Sequence, residues 1–271
     1  MIKSFLQTVI EPFPGTARFL RSLRSQLDQN APSVNTPWGF TLAGHEAMAR
    51  GTFEPEETQL IRQLLQEVDV LVNIGANVGY YCCHALSLGK YVIAVEPIAR
   101  NMHYLLKNIR DNGWANQAEV FPVALGQSTN ILEMWGEGTG ASLVKGWASI
   151  PESYVTQVPV ITLDRLLSNT LQGKRALILV DIEGAEYMML QGAKATLANH
   201  PRPIWIVEIS TTEHQPTGTR MNPNFAATFD MFLNQGYQAF TAEASPQKFE
   251  VSLQTMNDDQ ISLLTHNFLF R

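Results

Sequence analysis

The part of the chain that most constrains its fold is residues 70–81, where a short apolar run leads into a turn of the form Gly-x-Asn-x-Gly. A second apolar run, residues 91–95, leads directly to Glu96, which lies 21 positions after Gly75. A strand, a glycine turn, a helix and a second strand that ends in an acid are typical of parallel α/β sheets that bind a nucleoside. Gly75 and Gly79 suit this turn, because a residue without a Cβ adopts positive φ and lets a ligand approach the backbone.

The middle residue of the turn distinguishes between two classes of cofactor. Dinucleotide-binding turns read Gly-x-Gly-x-x-Gly and rest a pyrophosphate on the start of the helix, whereas this chain carries Asn77 at the middle position. Its side chain would crowd a diphosphate, while its amide can serve a neutral or zwitterionic ligand. The pattern therefore favours S-adenosylmethionine (SAM) over NAD, with Glu96 accepting hydrogen bonds from the ribose hydroxyls. Glycines that serve packing alone are the alternative, which Glu96 at this distance disfavours.

Apolar runs alternate with helical stripes along most of the chain, which predicts an α/β fold. The predicted strands cover residues 68–74, 91–95, 118–124, 176–182, 204–209, 237–241 and 266–270, the last of them antiparallel. The predicted helices cover residues 78–88, 99–112 and 185–197, and a fourth begins at Phe225. We therefore expect a mostly parallel seven-stranded sheet with helices on both faces.

The alternation is interrupted by a Gly-rich β insertion. Extended segments at 131–135 and 159–163 flank the Gly-rich residues 136–146, which predicts a hairpin or flap over the site. The aromatic residues of this region either stack on a sugar or lipid acceptor or pack the insertion; they are Trp135, Trp147 and Tyr154.

Ligands of parallel α/β sheets bind beyond the carboxyl ends of the strands. The residues at the predicted strand ends should therefore converge on one crevice; they are Asn73, Glu96, Ala124, Asp181 and Glu208.

Composition limits the class of protein. The balance of 19 Lys and Arg against 25 Asp and Glu gives a net charge of −6, which argues against a general nucleic-acid binder. The two cysteines, Cys82 and Cys83, are neighbours on a predicted helix and are poorly placed to bridge, so no disulfide framework is expected. No run reaches the roughly 18 apolar residues of a membrane span. A cytoplasmic protein without stable membrane insertion is the expectation.

Residues 1–37 are predicted to be a helical extension in front of one domain at 38–271. Arg18, Arg21 and Arg24 recur every three residues opposite apolar residues. This is the pattern of an amphipathic helix, which packs on the domain or on a partner subunit and would suit a homodimer. Contact with a membrane surface is the alternative.

Three motifs occur together in this chain: Asn73-Ile-Gly-Ala-Asn-Val-Gly79, Val95-Glu-Pro97 and Val180-Asp-Ile-Glu-Gly-Ala-Glu186. They are accompanied by Asn101, Asn108, Phe53-Glu-Pro-Glu56, Ala141-Ser-Leu143 and Thr162-Leu-Asp164. In this combination, from about Trp38 to Arg271, the chain resembles the FkbM-type family of SAM-dependent methyltransferases. The resemblance implies a Rossmann-like methyltransferase fold, SAM as methyl donor and S-adenosyl-L-homocysteine (SAH) as product. It also implies O-methylation of hydroxyls on sugars, lipid-linked glycans or macrolide-type natural products.

One position departs from the pattern of that family. The family usually has an acidic residue where this chain has Asn73, and a carboxylate there would help to hold the charged amino group of SAM. Charged hydrogen bonds contribute roughly 1.5–3 kcal/mol against about 0.5–1.5 kcal/mol for neutral ones, so SAM binding is expected to be about tenfold weaker. Glu54 or Glu56 is expected to compensate.

Asp181 is the first candidate for catalysis, because it ends the fourth predicted strand beside the expected methyl position. It is predicted to act as a general base or to orient the acceptor hydroxyl, and capping of the next helix is the alternative. Glu183 is a second acid–base or sugar-binding candidate, whereas Glu186 is expected to face outward from the first turn of that helix. Glu208, at the end of the fifth strand, completes the catalytic set.

The remaining candidates concern the cofactor and a metal. The predicted cofactor-binding residues are Glu54, Asn73, Gly75, Asn77, Gly79, Tyr80, Glu96, Ala124 and Asp181. Some O-methyltransferases bind Mg²⁺ between acids at two strand ends, but Asp181 and Glu208 alone supply few ligands, so no metal is predicted. His45, near the cleft rim, and His214, in a polar segment, are possible acid–base groups.

Two other classes of protein stay open at this point. A catalytically inactive SAM-binding or interaction protein is one, and Asn73 is the feature that favours it. An NAD-dependent oxidoreductase is the other, and the absence of a Tyr-x-x-x-Lys pair counts against it.

Overall fold

The structure, a computed structural model, describes residues 31–249 and 265–271. The predicted arginine-bearing helix lies outside these residues, as does most of the predicted extension at 1–37. In the described part, Val34–Asn35 (β1) pairs with Thr41–Leu42 (β2) as a short antiparallel ribbon.

A seven-stranded sheet forms the centre of the fold, and a separate three-stranded sheet lies beside it. The remaining strands are Val70–Ile74 (β3), Tyr91–Val95 (β4), Ala118–Phe121 (β5), Ala124–Leu125 (β6), Asn130–Trp135 (β7), Val155–Ile161 (β8), Ala176–Val180 (β9), Ile204–Glu208 (β10), Ala239–Thr241 (β11) and Asn267–Phe270 (β12). The order in the central sheet is β5-β4-β3-β9-β10-β12-β11. Among these strands β12 alone runs against its neighbours, which confirms the mostly parallel sheet and the antiparallel last strand.

Helices cover both faces of this sheet. They are Glu46–Arg50 (α1), Pro55–Glu67 (α2), Tyr80–Ser87 (α3), Ala99–Asp111 (α4), Leu163–Leu167 (α5), Glu186–Gln191 (α6), Lys194–Leu197 (α7) and Phe225–Leu233 (α8). Side chains alternate across a strand, so Val70, Val72 and Ile74 of β3 pack with α5 to α8, while Leu71 packs with α2 to α4. No helix within the described ranges is both long and apolar enough to cross a membrane.

The predicted third strand at 118–124 is wrong at its carboxyl end, because the chain leaves the central sheet after Phe121. The N–H of Val123 donates to the carbonyl of Phe121 at 2.9 Å, and Ala124 then enters β6, which pairs with β8 in the three-stranded sheet. Ala124 is therefore not at the end of a central strand. β7 and β8 pair as an antiparallel hairpin around the Gly-rich stretch, which confirms the predicted insertion.

The predicted helix at 185–197 is two helices, α6 and α7. The carboxylate of Asp164 accepts hydrogen bonds from the N–H groups of Ala195 and Thr196, at 2.9 and 2.8 Å, and so caps the start of α7. Gly192 lies at the break, where a Cβ would stand 2.2 Å from the carbonyl oxygen of Gly126. The break thus results from contacts with distant segments.

The ends of β3 and β9 touch at Gly75. The N–H of Asp181 donates to the carbonyl of Ile74 at 3.0 Å, and Gly75 adopts a φ of +82°. A Cβ on Gly75 would stand 1.7 Å from the carbonyl oxygen of Asp181. The glycine is therefore required by backbone contact between two strands.

We predict that Gly75→Ala is much more destabilising than Gly89→Ala. Gly89 also has positive φ, at +72°, but its added Cβ would meet nothing within 4 Å. Gly89→Ala, the control, should lower the free energy of unfolding by about 1–2 kcal/mol, because alanine disfavours a positive φ. Gly75→Ala should lower it by roughly 3 kcal/mol or more, because its Cβ would also overlap the carbonyl oxygen of Asp181. Urea unfolding monitored by circular dichroism measures both, and equal losses would contradict the strand-contact argument.

Candidate active site

Two adjoining cavities open at the carboxyl ends of β3, β4, β9 and β10, with volumes of about 560 and about 1000 Å³. The first cavity lies between β3, β4 and the insertion, and the second between β3, β9, β10 and the first two helices. Gly75, Asn77, Thr139, Asp181 and Glu183 line both, so the cavities form one continuous cleft.

The structure brings most of the predicted site residues to this cleft. The first cavity is lined by Glu96 and Ala124, the second by Glu54, Asn73, Tyr80 and Glu208, and both by Gly75, Asn77, Asp181 and Glu183. Gly79 is absent from both linings, and a Cβ there would stand 2.5 Å from Leu105 Cδ1. Gly79 therefore serves the packing of α3 against α4.

Glu96 is held rigidly in the first cavity. It is 4% exposed, and its carboxylate accepts hydrogen bonds from the N–H groups of Asn77 and Ile98, both at 2.8 Å. Burial raises its pKa to about 7, although these hydrogen bonds oppose the rise. Each carboxylate oxygen has a further lone pair, which can accept from a ligand hydroxyl.

Two buried acceptors in the first cavity lack hydrogen-bond partners among the described residues. They are Oδ1 of Asn77 and Oδ1 of Asn101, and the Asn101 side chain is only 2% exposed. Leaving a buried polar atom unpaired costs about 1–3 kcal/mol. A ligand that carries N–H or O–H donors could pair with these atoms.

Asp181 and Glu208 form a carboxyl pair in the second cavity. The two side chains are hydrogen bonded to each other, so one proton is shared between them. Desolvation raises both pKa values, and the charges of Glu208 and Glu183 raise that of Asp181 further. The side chain of Asp181 has accessible surface and lines the cleft. The surrounding protein nevertheless removes much of its hydration. Asp181 caps no helix, contrary to the alternative considered for it.

Glu183 is held by the insertion in an unusual backbone conformation. Its φ is +55°, which is uncommon for a residue with a side chain. Nε1 of Trp147 donates to its carboxylate at 2.7 Å, and Oγ of Ser142 donates to its carbonyl at 2.5 Å. The Trp147 ring is 3% exposed and lies where a Cβ on Gly184 would be, 2.5 Å from it. Trp147 is thus a packing residue of the insertion that also orients Glu183.

The expectation that Glu186 faces outward is wrong. Its side chain is 3% exposed, and its carboxylate accepts a hydrogen bond from the N–H of Gly184 at 3.0 Å. The positive φ values of Glu183 and Gly184 turn the chain, so the first residue of α6 points back into its own loop. Burial raises the pKa of Glu186 to about 8.

The start of α2 contributes acids that the sequence only partly indicated. Oε2 of Glu54 accepts from the Tyr81 hydroxyl at 2.9 Å, and Oε2 of Glu57 accepts from Nδ2 of Asn267 at 2.6 Å. Glu57 and Asn267 line the second cavity, whereas Glu56 is exposed and lies outside the lining. The sequence signal for Glu57 was its place in the first turn of a helix that begins directly after Glu54.

The two histidines of interest have mainly structural contacts. Nδ1 of His45 accepts from the N–H of Met48 at 3.3 Å and caps α1, although the ring also lines the second cavity. Burial and the nearby charge of Arg100 lower its pKa. The His214 carbonyl accepts from the N–H of Ala148 at 2.7 Å. In residues 31–249 and 265–271, no group of three or more His, Cys, Asp and Glu side chains is arranged to hold a metal ion.

The sheet order, with a ligand cleft across the carboxyl ends of the central strands, defines a Rossmann-like methyltransferase fold. The family model described as methyltransferase FkbM domain matches residues 73–239. This chain belongs to the FkbM methyltransferase family.

Similar folds occur among solved structures. The methyltransferase FkbM of Methylobacillus flagellatus KT is 15% identical with a TM-score of 0.45, and the match covers 94% of this chain and 60% of that chain. The present chain thus spans about 60% of the length of that protein. The O-methyltransferase of Bacillus cereus, solved in complex with SAH, is 11% identical with a TM-score of 0.44, covering 99% of this chain and 95% of that chain. No curated protein matches the chain.

We predict that Glu186→Gln reduces the pH dependence of stability. Burial raises the pKa of Glu186 and Glu57 to about 8 and that of Glu96 to about 7, against 4.5 for an ordinary glutamate. The native state therefore keeps protons that the unfolded chain has lost, and the free energy of unfolding should fall as the pH rises from about 5 to 8, by at most about 1.4 kcal/mol per pH unit for each group.

Glutamine at position 186 imitates the protonated glutamate but cannot titrate. The variant therefore loses the contribution of this group to the pH dependence of the free energy of unfolding. Urea unfolding at pH 5, 6.5 and 8 measures the slope, which should be shallower for Glu186→Gln than for the wild type. Exposed Glu56→Gln is the control. Parallel curves for all three proteins would refute the role of Glu186.

Proposed function

We propose that the protein is a SAM-dependent O-methyltransferase that acts on a hydroxyl of a carbohydrate, glycolipid or natural-product acceptor. The observation that carries this proposal is the Asp181–Glu208 carboxyl pair, which lies in the cavity next to the one that holds Glu96. Membership of the FkbM methyltransferase family supports methyl transfer.

The first cavity suits the adenosine of the cofactor. Glu96 would accept hydrogen bonds from the ribose hydroxyls, since its carboxylate lies at the end of β4 with lone pairs left over. The unpaired Oδ1 atoms of Asn77 and Asn101 would accept from the remaining donors of the nucleoside. When bound, SAM supplies an activated methyl group on a sulfonium.

The part of the second cavity next to Asp181 and Glu208 suits a hydroxyl acceptor. Methyl transfer breaks the S–CH₃ bond and forms an O–CH₃ bond, and the acceptor hydroxyl loses its proton. In this proposal the proton passes to the Asp181–Glu208 pair, whose raised pKa makes it a better base than an ordinary carboxylate. Because the donor is already activated, positioning of the two reactants does much of the catalytic work and can lower the activation free energy by up to about 7–11 kcal/mol.

Glu183 would contribute by position and charge. It lies where the two cavities meet, and Trp147 and Ser142 hold it from the insertion. Its carboxylate would accept a hydrogen bond from a second acceptor hydroxyl, and its charge raises the proton affinity of the pair. An acceptor rich in hydroxyls fits a cavity lined by carboxyl groups, which are hydrogen-bond acceptors.

Titration calorimetry tests the cofactor. We expect SAM and SAH to bind with micromolar dissociation constants and NAD not to bind. Binding of NAD in place of SAM, or binding of neither by folded protein, would overturn the proposal.

We predict that Asp181→Asn lowers methyl transfer by about 10²–10⁴-fold, the usual contribution of a general base. SAM affinity should change only a few-fold, because Asn keeps the shape of the side chain. Transfer of labelled methyl to a panel of sugars, glycolipids and macrolides measures activity, and calorimetry measures binding. Asp230→Asn, at an exposed position on α8, is the matched control, and full activity of Asp181→Asn would exclude the base role.

A further inference from the structure

One acid of the cleft, the half-buried Glu57, takes no part in the proposed methyl transfer. Glu57 lies in the first turn of α2 and lines the second cavity, and burial raises its pKa to about 8. The charges of Glu54 and Asp181 add to that rise, so other acids surround it. Its hydrogen bond comes from the neutral amide of Asn267.

The described lining of the second cavity contains no lysine or arginine that would balance these acids. Its only other ionisable base is His45, whose pKa burial lowers. A buried carboxyl without a cation is costly in its charged form. A ligand with an ammonium group would therefore gain from this position.

The place of Glu57 along the cleft points to one ligand group. The second cavity meets the first at Gly75 and Asn77, so a cofactor whose adenosine lies near Glu96 extends its tail toward α2. At the end of β3 the side chain that lines this region is Asn73, which is neutral and 5% exposed. Its Nδ2 faces Sγ of Cys82 at 3.4 Å. The strand end thus provides no charge for the tail, whereas the start of α2 provides the carboxyl of Glu57 and that of Glu54, the residue that precedes the helix.

We propose that Glu57, with Glu54 beside it, is the acidic partner of the ammonium group in the amino-acid tail of SAM and SAH. The inference rests on the proposed function, because it takes SAM as the cofactor. It assigns recognition of the tail to α2, supported by Asn267 of β12, in place of β3.

Calorimetry with two ligands isolates the tail. SAH carries the ammonium, whereas 5′-methylthioadenosine has the same adenosine and thioether but no amino-acid part. For Glu57→Gln we expect SAH to bind about ten- to hundredfold more weakly, as for loss of a charged hydrogen bond. Binding of 5′-methylthioadenosine should stay within about twofold, since its contacts lie in the first cavity.

Two further variants make the test specific for charge. Glu56→Gln changes the neighbouring, exposed glutamate of the same helical turn and should leave both affinities unchanged. Asn73→Asp, combined with Glu57→Gln, puts a carboxylate back on the same cavity and should restore at least part of the SAH affinity. Circular dichroism and melting temperatures confirm that each variant is folded.

Several results would overturn the assignment. These are unchanged or tighter SAH binding by Glu57→Gln, an equal loss for SAH and 5′-methylthioadenosine, or no recovery in a folded double variant. Failure of the wild type to bind any of the adenosine ligands would instead overturn the proposed function itself. The two failures are therefore distinguishable.

Discussion

The contact between the ends of β3 and β9 is the constraint on which the site depends. Ile74 and Asp181 are joined by a backbone hydrogen bond, and the missing Cβ of Gly75 makes room for the Asp181 carbonyl. The same turn places the N–H of Asn77 against the carboxylate of Glu96. One close backbone contact therefore fixes the positions of Glu96 and Asp181 in the cleft relative to each other.

The cleft concentrates carboxyl groups in a poorly hydrated space, and the sheet makes this possible. Parallel strands end on one edge, so acids that follow separate strands converge there, as Glu96, Asp181 and Glu208 do. Burial raises the pKa of each. Burying these acids costs stability, and in the proposed function the same desolvation would make the Asp181–Glu208 pair a stronger base near neutral pH.

The central sheet and its helices could be predicted from periodicity, because their side chains face a core made largely by the elements themselves. Strands β4 and β9 read as continuous apolar runs, and Asn73 is the one polar residue of β3. All residues of these three strands except Tyr91 are buried. Prediction failed where distant segments decide local structure. The third strand ends early because Ala124 pairs with β8, and the helix at 185–197 breaks because Asp164 caps its second half.

The sequence by itself determined the fold class, the glycine turn after β3 and the acids at the strand ends, because each of these depends on residues close together in the chain. Only the tertiary structure decided which side chains complete the site. Glu57 meets Asn267 across 210 residues, and Glu183 is oriented by Trp147 from the insertion. Such pairs leave no periodic pattern, since a contact between distant segments depends on how the whole sheet and its loops pack.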